Sequence, residues 1–273
     1  MINVADVEMK YDDLKLKYPE RSIERKILEK MAGNENVRRY TSMDELAFEL
    51  EFRKRIIDAS TALYRGGLRF SIFRESECNE DFWDRMENGG FKLKSGIKPS
   101  EGIRNIFRNT REYATECATA MVIIFYKAVL DIYKDELFDS TFPKIILMNW
   151  LYTDNKLGVY TDREPNILLP GDCRYFKNPD VDPMTPEWQG ENAIDLGDGT
   201  YYGHGVGIRN AEMMIRILNK KRIPGSETSA YLMNTVTLPD FKGLFKVYGS
   251  SIVSSAGELP ARRHRGLRAR RHF

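Results

Sequence analysis

The chain has 273 residues and a 42% hydrophobic fraction, enough to bury one sizeable core without covalent staples. Its three cysteines, Cys78, Cys117 and Cys173, show no Cys-x-x-Cys spacing, which excludes a disulfide framework and a structural zinc site as first readings and points to a reducing compartment. The formal charge of +2 is uneven: residues 258–273 hold six arginines against Glu258, a charge of +5, so the remaining chain carries −3.

The N-terminal residues Met1 to Lys10 lack a basic region followed by an apolar one, and no apolar run is long enough to span a bilayer. Cytoplasmic synthesis without a signal peptide is therefore expected. Ser42-Met-Asp-Glu45 has capping-box spacing, and Leu46, Leu50, Ile56, Ile57 and Leu63 continue a helical stripe until Gly66-Gly67. A short strand is expected over residues 68–73, followed by a helix capped by Ser100 and carrying Ile103 and Phe107. The run from Cys117 to Tyr126 is apolar enough for a buried central helix. Strands are then expected over 144–151, 157–160 and 172–177, with a hairpin over 191–207 turning at Gly197-Asp198-Gly199. Asn210 caps what reads as the last helix, 211–221. Helices first and sheet second predict an α+β fold in a single domain over residues 1–250. Residues 251–273 form a basic tail with few apolar groups, expected to be disordered and non-native; lacking aromatic interleaving, it suggests neither a nucleic-acid nor a membrane partner.

Outside that tail the chain holds one histidine, His204, set in Gly203-His-Gly-Val-Gly207. A cysteine heading a buried helix, with a histidine downstream on strand-like sequence, is the chain order of papain-like thiol enzymes. A carboxylate partner follows from the hairpin. With Gly197-Asp198 as a two-residue turn Glu191 falls directly opposite His204, with Cβ atoms ~5 Å apart, and with Asp198-Gly199 as the turn the two are diagonal neighbours on the same face; a three-residue loop would move one of them to the other face. Cys117 as nucleophile, His204 as general acid/base and Glu191 as the orienting carboxylate would then form a triad, with Glu116 as a reserve carboxylate. The helix N-terminus and an imidazolium would lower the thiol pKa, and the first N–H groups of the Cys117 helix would serve as oxyanion donors. Trp188 and Phe70 are candidates for an apolar wall around the site. With one histidine in the body and no calcium-binding loop, neither a metal nor any other cofactor is expected.

The segments Glu112-Tyr-Ala-Thr-Glu-Cys-Ala-Thr-Ala-Met-Val-Ile-Ile-Phe-Tyr126, Pro170-Gly-Asp-Cys-Arg-Tyr-Phe-Lys-Asn-Pro179, Trp188-Gln-Gly-Glu-Asn192 and His204-Gly-Val-Gly207 closely resemble the small protein-glutamine gamma-glutamyltransferases of spore-forming bacilli. The resemblance covers about residues 1–249. It implies a papain-like core, a central helix carrying the nucleophile against a mainly antiparallel sheet, no need for calcium, and cross-linking of spore-coat proteins through accessible glutamine and lysine side chains. Synthesis in the mother cell, deposition on the coat and a monomeric enzyme are the matching expectations. Carried over by position, the nucleophile is Cys117, the base His204 and the supporting acid Glu191, with Glu116 as a substitute. A papain-like peptidase or amidase acting on cell-wall peptides, and a structural coat protein, are the alternatives.

Overall fold

Local signals in the sequence account for the two helices that organise the core. In the helix Met43–Gly66 the Ser42 hydroxyl accepts the Glu45 N–H at 3.1 Å, Glu45 accepts the Thr41 N–H, and Gly67 at φ +79° ends the helix by donating to the Leu63 carbonyl. The helix Cys117–Ile132 is capped by Glu116 and is buried on nearly every side from Ala118 to Leu130, as a helix that is apolar all round must be. Burying a Leu, Ile or Phe side chain contributes about 1.5–3 kcal/mol, so the packing of these two helices on each other supplies much of the stability. Residues 1–256 are described by the structure, a computed structural model.

A six-stranded antiparallel sheet lies beside the helices in the order Gly207–Asn210, Thr200–Gly203, Gly190–Asp195, Cys173–Lys177, Tyr231–Leu238, Tyr160–Asp162. One face sends Cys173, Ile194, Tyr202 and Val236 into the helical core. The other sends Phe176 and Ala193 against Met214 and Leu218 of the helix Ala211–Asn219. Near the N-terminus, Ile2–Val4 pairs with Val7–Met9 and Arg38–Tyr40, and with the helix Ile23–Ala32 encloses a second apolar cluster. The mixed α+β single-domain expectation holds, and no described helix is long and apolar enough to cross a membrane.

A buried charge network ties the long helix to the sheet. Arg53 donates to Glu49 at 2.9 Å, to Asp172 at 2.7 Å and to the Pro170 carbonyl at 3.2 Å, while Arg38 and Tyr40 donate to Glu49 at 2.8 and 3.0 Å. Burial alone would push Glu49 up, but Arg38 and Arg53 outweigh it and hold its carboxyl at about 2.

Several boundaries differ from expectation for local reasons. Pro99, not Ser100, opens the helix Pro99–Arg108, because proline suits the first helical position; Ser100 is spent on Asp139, donating from its N–H at 2.7 Å and its hydroxyl at 3.1 Å. Within the expected strand 144–151 only Ile146–Leu147 pairs, and the strand expected over 157–160 begins at Tyr160 and runs to Asp162. The strand Tyr231–Leu238 and a further helix Phe241–Ala256 follow the one expected to be last. That helix carries residues 251–256, which corrects the expected start of the tail at 251; the expectation of disorder for 257–273 lies outside the described residues.

Candidate active site

A short parallel pair, Arg69–Phe70 with Ala114–Thr115, delivers the chain into Glu116 and Cys117. The Cys117 helix then points its N-terminus at the Gly190–Asp195 strand. Asn192 donates its side-chain Nδ2 to Cys117 Sγ at 3.4 Å, and its backbone N–H is directed at the same sulfur. That N–H is free to do so because the pairing of the Gly190–Asp195 and Thr200–Gly203 strands ends at Ala193↔Gly203, one residue short of Asn192.

The hairpin turn corrects the expected pairing of Glu191 with His204. Three residues, Gly197, Asp198 and Gly199, form the loop: Leu196 N–H donates to the Thr200 carbonyl at 3.0 Å, Asp195 faces Tyr201 and Ala193 faces Gly203. In this register Glu191 shares a face with Ala193 and Gly203, while His204 follows Tyr202 onto the face turned toward the Cys117 helix. The His204 ring is buried and engaged elsewhere. Its Nε2 lies 3.1 Å from the Thr115 carbonyl and 3.2 Å from the Arg69 carbonyl, and its Nδ1 lies 3.2 Å from the Tyr202 hydroxyl. Carbonyls only accept, so Nε2 carries the proton and Nδ1 accepts from Tyr202. Burial pushes the ring's pKa down to about 4, so it is neutral, not the expected imidazolium. Glu191 does meet His204, through the main chain: its carboxyl accepts the His204 backbone N–H.

The carboxylates near Cys117 are thus Glu191 and Glu116. Glu191 is fully buried and lies over Gly203, where an added Cβ would come within 2.9 Å of its Oε1 and Cγ. Burial, and secondarily the charge of Glu116, raise its pKa well above the usual carboxylate range. The Cys117 thiol is also pushed well up, first by burial and then by Glu191 and Glu116, which reverses the expected lowering. Glu116 itself is the helix cap, accepting from Ala118 N–H at 2.7 Å, Thr119 N–H at 2.6 Å and the Thr119 hydroxyl at 2.6 Å. Those two N–H groups are therefore occupied and drop out of the expected set of oxyanion donors at the start of the helix.

Cys117 opens onto a cavity of about 1090 Å³ whose walls include Phe70, Glu116, Trp150, Gln189 and Asn192. Phe70 stacks at 5.6 Å on Trp188, whose other neighbour is the Lys221 ammonium 5.0 Å from its ring, so Trp188 backs the wall through Phe70. Asn192, Trp150 and Tyr202 were not singled out from sequence. Asn192 was visible only as the neighbour of Glu191, Tyr202 carried no signal beyond its place in the hairpin, and nothing around Trp150 marks it as part of a site.

A cysteine heading a buried helix and opening onto a cavity, with the half-buried Glu116 beside it and the buried Glu191 on the adjacent strand, is an arrangement for acyl transfer through a thiol. A family model described as protein-glutamine gamma-glutamyltransferase matches residues 1–248. The chain is 47% identical over 214 residues to a protein-glutamine gamma-glutamyltransferase of Bacillus mycoides (strain KBAB4), covering 78% of this chain and 77% of that one. It is 44% identical over 237 residues to one of Bacillus cereus (strain 03BB102), covering 86% and 85%. The solved transglutaminase from Geobacillus stearothermophilus (without C-terminal extension) is similar in structure, with a TM-score of 0.71 at 46% identity over 76% of this chain and 98% of that one. The chain belongs to the protein-glutamine gamma-glutamyltransferases.

Proposed function

We propose that this transglutaminase joins protein glutamine to protein lysine through a thioester on Cys117, with Glu191 moving the protons. The reading rests on Cys117 lining the cavity and on Glu191, buried in the adjacent strand, whose charge helps to raise the pKa of the Cys117 thiol. Glu191 takes the thiol proton as Sγ attacks the glutamine Cδ, and returns it to the nitrogen as the C–N bond breaks and ammonia leaves. A lysine amine then attacks the thioester and gives a proton to Glu191, which passes it to the departing thiolate, leaving an ε-(γ-glutamyl)lysine bond. A carboxyl with a raised pKa is suited to both halves, since it accepts and donates near neutral pH. Glu116 caps the helix and lies close enough to stand in as the second carboxylate. In this scheme His204 is a positioning residue: its ring fixes Arg69, Thr115 and Tyr202, and its N–H fixes Glu191. Phe70, backed by Trp188, shields the thioester from water.

The reaction needs no calcium in this reading, because the chain's own side chains supply every proton transfer and donor. Spore-coat proteins are the substrates in this reading, which accords with the relatives' being Bacillus proteins; synthesis in the mother cell, deposition on the coat and a monomeric enzyme belong to the same proposal. Incorporation of a labelled primary amine into a glutamine-bearing protein, with and without chelator, tests the whole scheme. Cys117→Ala is expected to abolish incorporation, Cys78→Ala and Cys173→Ala to retain it, and chelator to change nothing. Activity in Cys117→Ala overturns the thioester route.

A further inference from the structure

Attack of Cys117 on a carboxamide drives negative charge onto an oxygen one bond away from the carbon that Sγ has just joined, and that charge needs a donor already in place. The N–H groups that follow Cys117 in its helix are already engaged. Ala118 N–H and Thr119 N–H both donate to the Glu116 carboxylate, as does the Thr119 hydroxyl. The Thr115 hydroxyl rests on the carbonyl of Glu116 at 3.1 Å and beside His204. The His204 ring proton belongs to two carbonyls.

We propose that the side-chain amide of Asn192 is the oxyanion donor. Asn192 lines the cavity beside Cys117, its Nδ2 sits 3.4 Å from Sγ, and among the described residues no other side chain donates to that sulfur. Its backbone N–H, directed at Sγ where the neighbouring strand has ended, fixes the residue against the sulfur while leaving the amide free to turn. When the Sγ–Cδ bond forms and the carbonyl π pair moves to oxygen, Nδ2–H shifts from sulfur to that oxygen. When the C–N bond breaks and the π bond reforms, it returns. The inference rests on Cys117 as nucleophile.

Two reactions of the same sulfur separate the roles. Alkylation by iodoacetamide builds no oxyanion, whereas acylation by glutamine does. Asn192→Ala, and Asn192→Leu, which keeps the volume should the smaller residue unsettle the strand, are expected to lower kcat for amine incorporation by about 10²- to 10³-fold. In both, KM for the glutamine donor and the thermal midpoint should stay close to the parent's, while alkylation of Cys117, which loses only the amide's hydrogen bond to sulfur, should slow by about tenfold at most. A kcat within a few-fold of the parent in either folded variant overturns the proposal. So does an alkylation rate that falls in step with kcat, since Asn192 would then only hold the thiolate. Activity surviving in Cys117→Ala is a separate result and overturns the nucleophile itself.

Discussion

His204 is the residue whose chemistry changes most between sequence and structure. A histidine beside a cysteine invites the role of base, yet a ring whose Nε2–H serves two carbonyls and whose Nδ1 holds a phenol has no free nitrogen to offer. Its burial has a thermodynamic signature. The folded-state pKa of about 4 lies below the ordinary 6.5, so the unfolded chain binds a proton that the folded one refuses. The stability of the neutral ring is therefore fully present above about 6.5 and is lost as pH falls toward 4, by about 3 kcal/mol at the lower limit. His204→Gln, which keeps a donor amide, should flatten the fall in thermal midpoint between pH 6.5 and 4. Equal slopes in variant and parent would refute the burial argument. Cys117 and Glu116 were legible because a helix start announces itself locally; what His204 touches was not, because Arg69, Thr115 and Tyr202 come together only through the tertiary fold.

At the level of the element, one extra residue in the hairpin loop decides the site. The loop Gly197-Asp198-Gly199 places Glu191 over Gly203, and it is the missing side chain there that makes room for the carboxyl. In Gly203→Ala the added Cβ would sit 2.9 Å from Glu191 Oε1 and 2.6 Å from Met214 Cε. Both neighbours must give way, and the carboxyl is the one the reaction depends on. The expected result is a loss in kcat of about tenfold or more, with a destabilisation of about 1–3 kcal/mol from the crowding. Parent-like kcat in a folded Gly203→Ala enzyme would show that Glu191 does not need its present place. Sequence could name both residues of this hairpin but not their faces, since Gly197-Asp198, Asp198-Gly199 and the three-residue loop all satisfy the same glycine pattern.

For the whole molecule, the helical half was readable and the end of the chain was not. Ser42, Asn210 and the apolar run after Cys117 are short-range signals, and each structure they foretold is present. The strand Tyr231–Leu238 lacks a clean alternation of buried and exposed residues because its early part faces the cavity and solvent, where Met233 and Thr235 line the site. The helix Phe241–Ala256 contains Gly243 and Gly249, which lower helix propensity, and it is held by packing of Phe241, Leu244 and Tyr248 on Phe48, Phe52 and Tyr133. The buried network of Arg53, Glu49 and Asp172 was equally invisible, for Asp172 lies 119 residues from Arg53 in the chain.

The wall of the cavity has a consequence for what the enzyme does to itself. Copies of a single protein can be joined to one another only if that protein presents both kinds of reactive group, here an amide donor and an amine acceptor. Acceptors are plentiful, with exposed lysines such as Lys17, Lys92, Lys98, Lys156 and Lys246. Among all 273 residues there is one glutamine, Gln189, and it lines the same cavity as Cys117. Gln189 is exposed, but for it to reach Cys117 of another copy the two cavity mouths would have to meet face to face. Copies of this enzyme incubated alone should therefore remain unjoined, while a glutamine-rich protein should graft onto their lysines as side branches. Covalent multimers formed by the enzyme alone would contradict this. Left to itself, the enzyme is an acceptor without a donor.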